Sequence, residues 1–252
     1  MKQRYFAEIA YDGTAYHGWQ YQPNAITVQE KLTTTLGKIL NAPDFKVQGC
    51  GRTDTGVHAS QFFLHFDADL NMTIEKLIFV SNQILKKDIV IKRVFPVGEK
   101  MHARYSATAR RYHYYFGTEL NPFDRLYVSY FKQPVNIEKM QEACKVLFEY
   151  KDFTSFSRSN TDTKTNDCTI MDAKWYQEDG KIIFTIKANR FLRNMVRAIV
   201  GTMLEVGEGK LTIDQFREVI EKKDRSAAGK SVSGHSLFLS EVHYKEGIIP
   251  NV

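Results

Sequence analysis

Hydrophobic positions recur along this chain with two periods, and each switch between them marks an element. Tyr5 to Tyr11 is a short apolar and aromatic run stopped by Asp12-Gly13, which predicts a strand and a turn. Thr27-Val28-Gln29-Glu30 has capping-box spacing, and Val28, Leu32, Leu36, Ile39 and Leu40 then share one helical face until Asn41 and Pro43. Residues 44–50 and 60–67 read as strands, the second alternating around Phe62, Leu64 and Phe66, with a polar, glycine-bounded connection between them. Thr73 caps a second helix carrying Ile74, Leu77, Ile78 and Leu85, and Ile89 to Val97 closes the half as a strand. The order is β-α-β-β-α-β.

The same order returns with looser spacing. Residues 108–117 form an aromatic strand, Asn136 caps a helix to about Glu149, and 164–177 with 181–188 predict two strands around Asp179-Gly180. A helix is expected over roughly 190–206, another from Thr212-Ile213-Asp214-Gln215, and a final strand over Ser236 to Tyr244. The expectation is an α+β chain of two split-βαβ, ferredoxin-like units, residues 1–105 and 106–252. No Pro/Gly/Ser linker separates them, so their sheets are expected to pack together or merge, with a cleft between the units.

Composition narrows the possibilities. With 252 residues, 43% of them hydrophobic and 25% charged, the chain has enough apolar surface for real cores and does not read as disordered. Lys plus Arg number 35 against 29 Asp plus Glu, a net +6 that leans toward a polyanionic partner. Cys50, Cys144 and Cys168 fit neither a disulfide framework nor a CxxC zinc site, which points to a reducing cytoplasm. Glu8 and Asp12 interrupt the N-terminal run, and no stretch approaches 18 apolar residues, so neither export nor a membrane span is expected.

Three segments carry candidate chemistry. Gly49 to Ala59 connects two predicted strands and sets Arg52 two residues from Asp54. Such a loop is either a decorated turn or a site; a carboxylate held ionised by a guanidinium suits a nucleophile better than a general acid. Lys100 to Thr118 mixes Lys100, Arg104, Arg110 and Arg111 with Tyr105, Tyr112, Tyr114, Tyr115 and Phe116 and holds one acid-free basic run, the composition of a surface for unpaired RNA. On a strand, Tyr112, Tyr114 and Phe116 share one face and Arg111, His113 and Tyr115 the other, so one set belongs to a core. In Lys181 to Leu204 a helix would bury Phe191, Leu192, Met195, Val196, Ile199, Val200 and Met203, with Arg193, Arg197 and Gly201 at four-residue spacing on another face. Gly229-Lys230-Ser231 lacks the first glycine of a P-loop, and no HExxH, G-x-S-x-G or G-x-G-x-x-G is present, so neither a nucleotide cofactor nor a metal is expected.

GRTDTGVHA at 51–59, YDGTAYHGWQ at 11–20, ARYSATARRYHYY at 103–115, ANRFLRNMVRAIVGTMLEVG at 188–207 and SLFLSEVHY at 236–244 together resemble the tRNA pseudouridine synthase A family, in order over nearly the whole chain. The resemblance implies the pseudouridine synthase fold: two α+β units sharing a central antiparallel sheet, with the active site in a basic cleft. It implies an isomerase that converts uridine to pseudouridine at positions 38, 39 and 40 of the tRNA anticodon stem-loop, without a cofactor, in a cytoplasmic homodimer. Residue by residue it implies Asp54 as the catalytic aspartate, acting as nucleophile or as base toward the ribose, and Arg197 as its partner. Arg52 would displace the target base, Tyr112 would stack on the uracil, and Leu237 would pack against it. Two departures stand out: Thr55 occupies a position where alanine is usual, and SVSGHSLFL replaces a Pro-rich stretch ending Gly-Leu-Tyr-Leu. The rival from another class is a noncatalytic RNA-binding module in which Asp54 is a turn residue. An aspartate-dependent glycosidase would need a second carboxylate at a set separation, which the motif lacks.

Overall fold

A computed structural model describes residues 2–158 and 165–250. The chain forms two compact units: the first ends at Thr108 and takes the chain back from Phe238, and the second runs from Ala109 to Leu237. The first contains β1 (Gln3–Tyr11), α1 (Val28–Ile39), β2 (Gln48–Gly49), β3 (His58–Ala68), α2 (Ile74–Ile84) and β4 (Ile89–Val97). The second contains β5 (Ala107–Gly117), β6 (Ser129–Tyr130), α3 (Ile137–Leu147), β7 (Ile170–Glu178), β8 (Lys181–Ala188), α4 (Met195–Gly207) and α5 (Ile213–Glu221). The last strand, β9 (Leu237–Tyr244), falls almost wholly in the first unit.

In the first unit β1 lies between β4 and β3, antiparallel to both, while β2 and β9 share the far edge of β3. β2 pairs near His65, and β9 runs parallel to β3 at His58 and Ala59, so the sheet is mixed. Phe6, Ala7, Glu8 and Ile9 are buried in succession, as expected of a central strand covered on both faces. The charge this run takes inside is compensated across the sheet. Glu8 faces Arg93 in the β1–β4 register and accepts from its Nε at 2.7 Å, and Gln61 Nε2 donates to the other oxygen at 3.2 Å. The threonine caps form as expected, Thr27 accepting from Glu30 N and Thr73 from Lys76 N, both at 3.3 Å.

In the second unit β8 lies between β5 and β7, antiparallel to both, and β6 adds to β5 in parallel. The predicted division of β5 holds: Tyr112, Tyr114 and Phe116 are buried, whereas Arg111, His113 and Tyr115 are half-buried. Helices α3, α4 and α5 pack on one another, and α3 also lies on β7. The full capping box forms at Thr212, whose side chain takes the Gln215 N–H while Gln215 takes the Thr212 N–H at 2.9 Å.

Several boundaries differ from the pattern. The strand expected over 44–50 shrinks to Gln48–Gly49, and the one expected from 164 begins at Ile170, position 164 lying outside the described residues. The helix expected over 190–206 starts only at Met195, because Asn194 adopts φ 67°, a left-handed conformation that a helix cannot continue through. Arg193 therefore precedes the helix and does not share a helical face with Arg197. Among the described residues no helix is long and apolar enough to cross a membrane.

One buried histidine sets a pH dependence. His65 on β3 is buried, its Nδ1 accepts the Ala103 N–H at 3.2 Å, and the His102 ring lies 4.4 Å away. Burial, then the proximity of the His102 imidazole and of the Arg4 charge, lower its imidazole from the ordinary 6.5 to about 4. As pH falls the unfolded chain takes the proton first. Stability present above pH 6.5 is therefore lost between 6.5 and about 4. His65→Asn keeps an acceptor for Ala103 without titrating, and should make this acid limb shallower in urea unfolding; superimposable limbs would assign the titration elsewhere.

Candidate active site

The loop between β2 and β3 carries Arg52 and Asp54. Cys50 N donates to Phe63 O at 2.8 Å, so the chain leaves β2 still tied to β3. Asp54 O then accepts from Val57 N at 3.1 Å, and Gly56 takes φ 73° at the third position of that turn, where a type II geometry calls for glycine. Thr53 and Val57 are buried on either side, Asp54 is half-buried, and Arg52 and Thr55 are exposed. The departure from alanine at position 55 thus adds a side chain that points to solvent.

A second segment, Tyr11 to Trp19, lies directly against this loop. Trp19 N donates to Thr53 O and Gly56 N to Tyr16 O, each at 3.2 Å, which ties both sides of Asp54 to one backbone. The Tyr11 and Thr53 hydroxyls lie 2.9 Å apart in the interior. At Gly18, with φ 84°, a Cβ would sit 2.3 Å from Thr53 O; at Gly13 it would sit 2.1 Å from Val57 O. Both obstacles are backbone, so only glycine permits the approach. His58 is buried at the start of β3, its Nδ1 accepting the Gly13 N–H at 3.0 Å and lying 3.0 Å from Asp12 Oδ1, while its ring stacks on Phe238 at 4.5 Å. Trp19 stacks on Phe62 at 4.2 Å and seals the underside. None of these bracing roles is visible in the sequence, although the tight Gly13 and Gly18 contacts have a sequence mark in two glycines five residues apart.

The remaining predicted residues belong to the second unit. Tyr112 is 9% exposed on β5, with the Phe191 ring packed edge-on at 5.1 Å. Arg197 is half-buried on the first turns of α4, its Nε donating to Val232 O at 2.8 Å and its carbonyl accepting Val232 N at 3.1 Å. The discarded P-loop resemblance resolves here into a strap along α4: Gly229 N donates to Thr202 Oγ1 at 3.0 Å and Asn194 Nδ2 to Ser231 Oγ at 2.6 Å. Leu237 is buried where the strap ends, its N–H donating to Gly234 O at 3.0 Å. Just before it, Ser236 is held by a relay from Tyr114 to Ser129 at 2.9 Å and from Ser129 to Ser236 at 2.8 Å. Burial raises the Tyr114 phenol, so it stays protonated as a member of that relay. Sequence reasoning assigned Tyr114 only to a face and missed this link. Among the described residues no group of three or more His, Cys, Asp or Glu side chains is arranged to hold a metal ion.

The tRNA pseudouridine synthase family matches residues 7–106 and 143–245. This chain is 50% identical to tRNA pseudouridine synthase A of Parabacteroides distasonis and 52% identical to that of Bacteroides fragilis, in each case over 98% of both chains. The Streptococcus agalactiae protein of the same name is 40% identical over 96% of each chain. The chain belongs to the tRNA pseudouridine synthase A family. Membership makes it an isomerase of uridine in tRNA and its α+β architecture the pseudouridine synthase fold. A solved archaeal box H/ACA sRNP Nop10-Cbf5 complex aligns with 88% of this chain and 59% of that chain at TM-score 0.32 and 11% identity, too slight a similarity to bear on the fold.

The brace in this pseudouridine synthase is testable through one methyl-for-hydroxyl exchange. Thr53→Val preserves shape but strips the partner of the Tyr11 hydroxyl, and should cost about 1–2 kcal/mol of stability while lowering kcat several-fold at unchanged KM. Thr53→Ser keeps the hydroxyl and should recover most of both. Equal turnover by the two variants would remove the hydroxyl pair from the account of how Asp54 is held.

Proposed function

We propose that this pseudouridine synthase acts on uridines 38, 39 and 40 of the tRNA anticodon stem-loop, as a cytoplasmic homodimer. The observation that supports it most is the Asp54 loop: a half-buried carboxylate on a turn whose two sides are both hydrogen-bonded to a second backbone segment. Isomerisation breaks the N1–C1′ bond, turns the uracil and joins C5 to C1′; C5 gives up a proton and N1 gains one, with no net redox change. One rigid carboxylate serves both routes open to it, attack at C1′ or removal of a ribose proton. Rigidity matters because the reacting atoms must stay aligned while the base turns.

The other residues take supporting roles. Arg52, exposed beside the aspartate, displaces the base from its stack, without which C1′ and C5 are out of reach. Tyr112 stacks on the extruded uracil and assists the C5 proton, and Leu237 gives the base an apolar wall. Arg197 partners the aspartate, and the bond from its Nε to Val232 O fixes one edge of the guanidinium. The cytoplasmic assignment agrees with the buried, free Cys144 and Cys168, whose thiols are pushed up to about 12 and about 11 by burial.

Tritium release from 5-tritiated uridine in an unmodified tRNA transcript measures the reaction directly. Wild type should release tritium from positions 38 to 40, and Asp54→Asn should fall to background at nearly unchanged tRNA affinity. Turnover by Asp54→Asn within about tenfold of wild type, only about 1.4 kcal/mol of barrier, would end the catalytic assignment. Tight binding without any wild-type release would favour the noncatalytic module. Arg197→Lys should lose most activity although it keeps the charge, because an ammonium cannot reproduce a planar fork; wild-type rates from that variant would reduce Arg197 to a structural contact.

A further inference from the structure

The connection from β4 to β5, within the first unit, is pinned at nearly every residue yet ends in an exposed ring. Arg4 Nη1 donates to Glu99 O at 2.7 Å and to Met101 O at 3.0 Å, and Met101 N returns to Gly98 O at 2.9 Å. Ala103 N donates to His65 Nδ1 at 3.2 Å, and its carbonyl accepts the Tyr244 hydroxyl at 2.7 Å. His102 Nδ1 accepts the Arg104 N–H at 3.1 Å, and Ser106 closes the turn through His102 N at 3.0 Å and His102 O at 2.9 Å. Burial, then Arg4 and Arg104, lower the His102 imidazole, which keeps it the neutral acceptor this turn needs. On that base the rings form a chain of edge-on and tilted contacts. His65 meets His102 at 4.4 Å, His102 meets Tyr105 at 4.4 Å, and the Arg104 guanidinium lies 5.6 Å from the Tyr105 centroid.

Tyr105 remains 76% exposed at the top. Its surroundings identify what it would receive. Gly98, Glu99, Lys100 and Arg104 of the same connection are exposed and no other large apolar side chain of it is, so this is a single exposed ring on a polar connection, unlike an apolar protein interface. An exposed aromatic face beside a guanidinium fits an unpaired nucleobase, which stacks on the ring while the cation meets its phosphate. We propose that Tyr105 and Arg104 form a stacking platform for an unpaired base of the substrate tRNA, distinct from the uridine that is isomerised. The separation follows from β3: the pedestal stands on His65, seven residues beyond His58 at the Asp54 end, roughly 23 Å along an extended strand. One nucleotide cannot reach both. The inference rests on tRNA being the substrate and extends recognition beyond the target base.

An indole reporter tests it. Trp19 and Trp175 are 1% and 6% exposed, so Tyr105→Trp introduces a solvent-facing indole with its own emission. Titration with unmodified tRNA transcript should quench that emission, while Phe79→Trp on α2, a position 65% exposed, should stay unquenched. Tyr105→Ala should weaken tRNA binding on the order of tenfold, and Tyr105→Phe should restore it. An unquenched Tyr105→Trp variant at saturating tRNA, or equal quenching of both reporters, would overturn the platform. Tritium release by the wild type is measured in parallel: release without quenching refutes the platform alone, and quenching without release supports it while refuting the proposed action on uridines 38 to 40.

Discussion

The placement of Asp54 depends on two stretches of backbone approaching more closely than any side chain permits. Residues 13 and 18 lie so near the 53–57 backbone that an added Cβ would fall about 2 Å from a carbonyl oxygen. That contact brings Trp19 N within reach of Thr53 O and Tyr16 O within reach of Gly56 N. A loop built this way owes its geometry to the absence of side chains, and substitution there cannot be absorbed by a rotamer change. Around it Tyr11 and Trp19 of the same segment, with His58 at the start of β3, supply buried polar and aromatic contacts, so the loop is backed by protein where most loops are backed by water.

The second unit positions its residues by a different means. There a strap after α5 lies along α4 and meets it through backbone groups, Arg197 contributing both its guanidinium and its carbonyl. The same strap delivers Leu237, and the Tyr114–Ser129–Ser236 relay fixes the residue before it. Buried hydroxyls demand partners, and three in series leave few alternative arrangements. The departure from the family's Pro-rich stretch before Leu237 therefore falls on a segment whose course here is set by hydrogen bonds.

Burial decides which aromatic rings of the basic segment face outward. Of the rings that composition alone makes equivalent, Tyr114 and Phe116 enter the core at 1% and 2% exposure, while Tyr105 stands at 76%. An RNA-binding composition thus resolves into a core strand and a small presented surface.

Much of this protein is written locally. The helix caps at Thr27, Thr73, Asn136 and Thr212 form where side-chain chemistry near the first turn requires them, and β4 spans Ile89–Val97 as its pattern predicts. The motif around Asp54 was legible for the same reason: its turn is closed within four residues by Gly56. What depended on distant partners was not legible. Asn194 in a left-handed conformation cut the expected helix short, and β9 joined the edge of β3 although the chain leading into it lies in the other unit. The partnership of Tyr11 with Thr53 and the burial of Tyr114 behind Ser129 likewise join residues far apart in the chain. Local periodicity and capping act over one or two turns, and so the sequence determined the elements and the turn that carries Asp54; close backbone approach and buried hydrogen bonds exist only once distant segments meet, and so the tertiary structure alone decided how the aspartate is held.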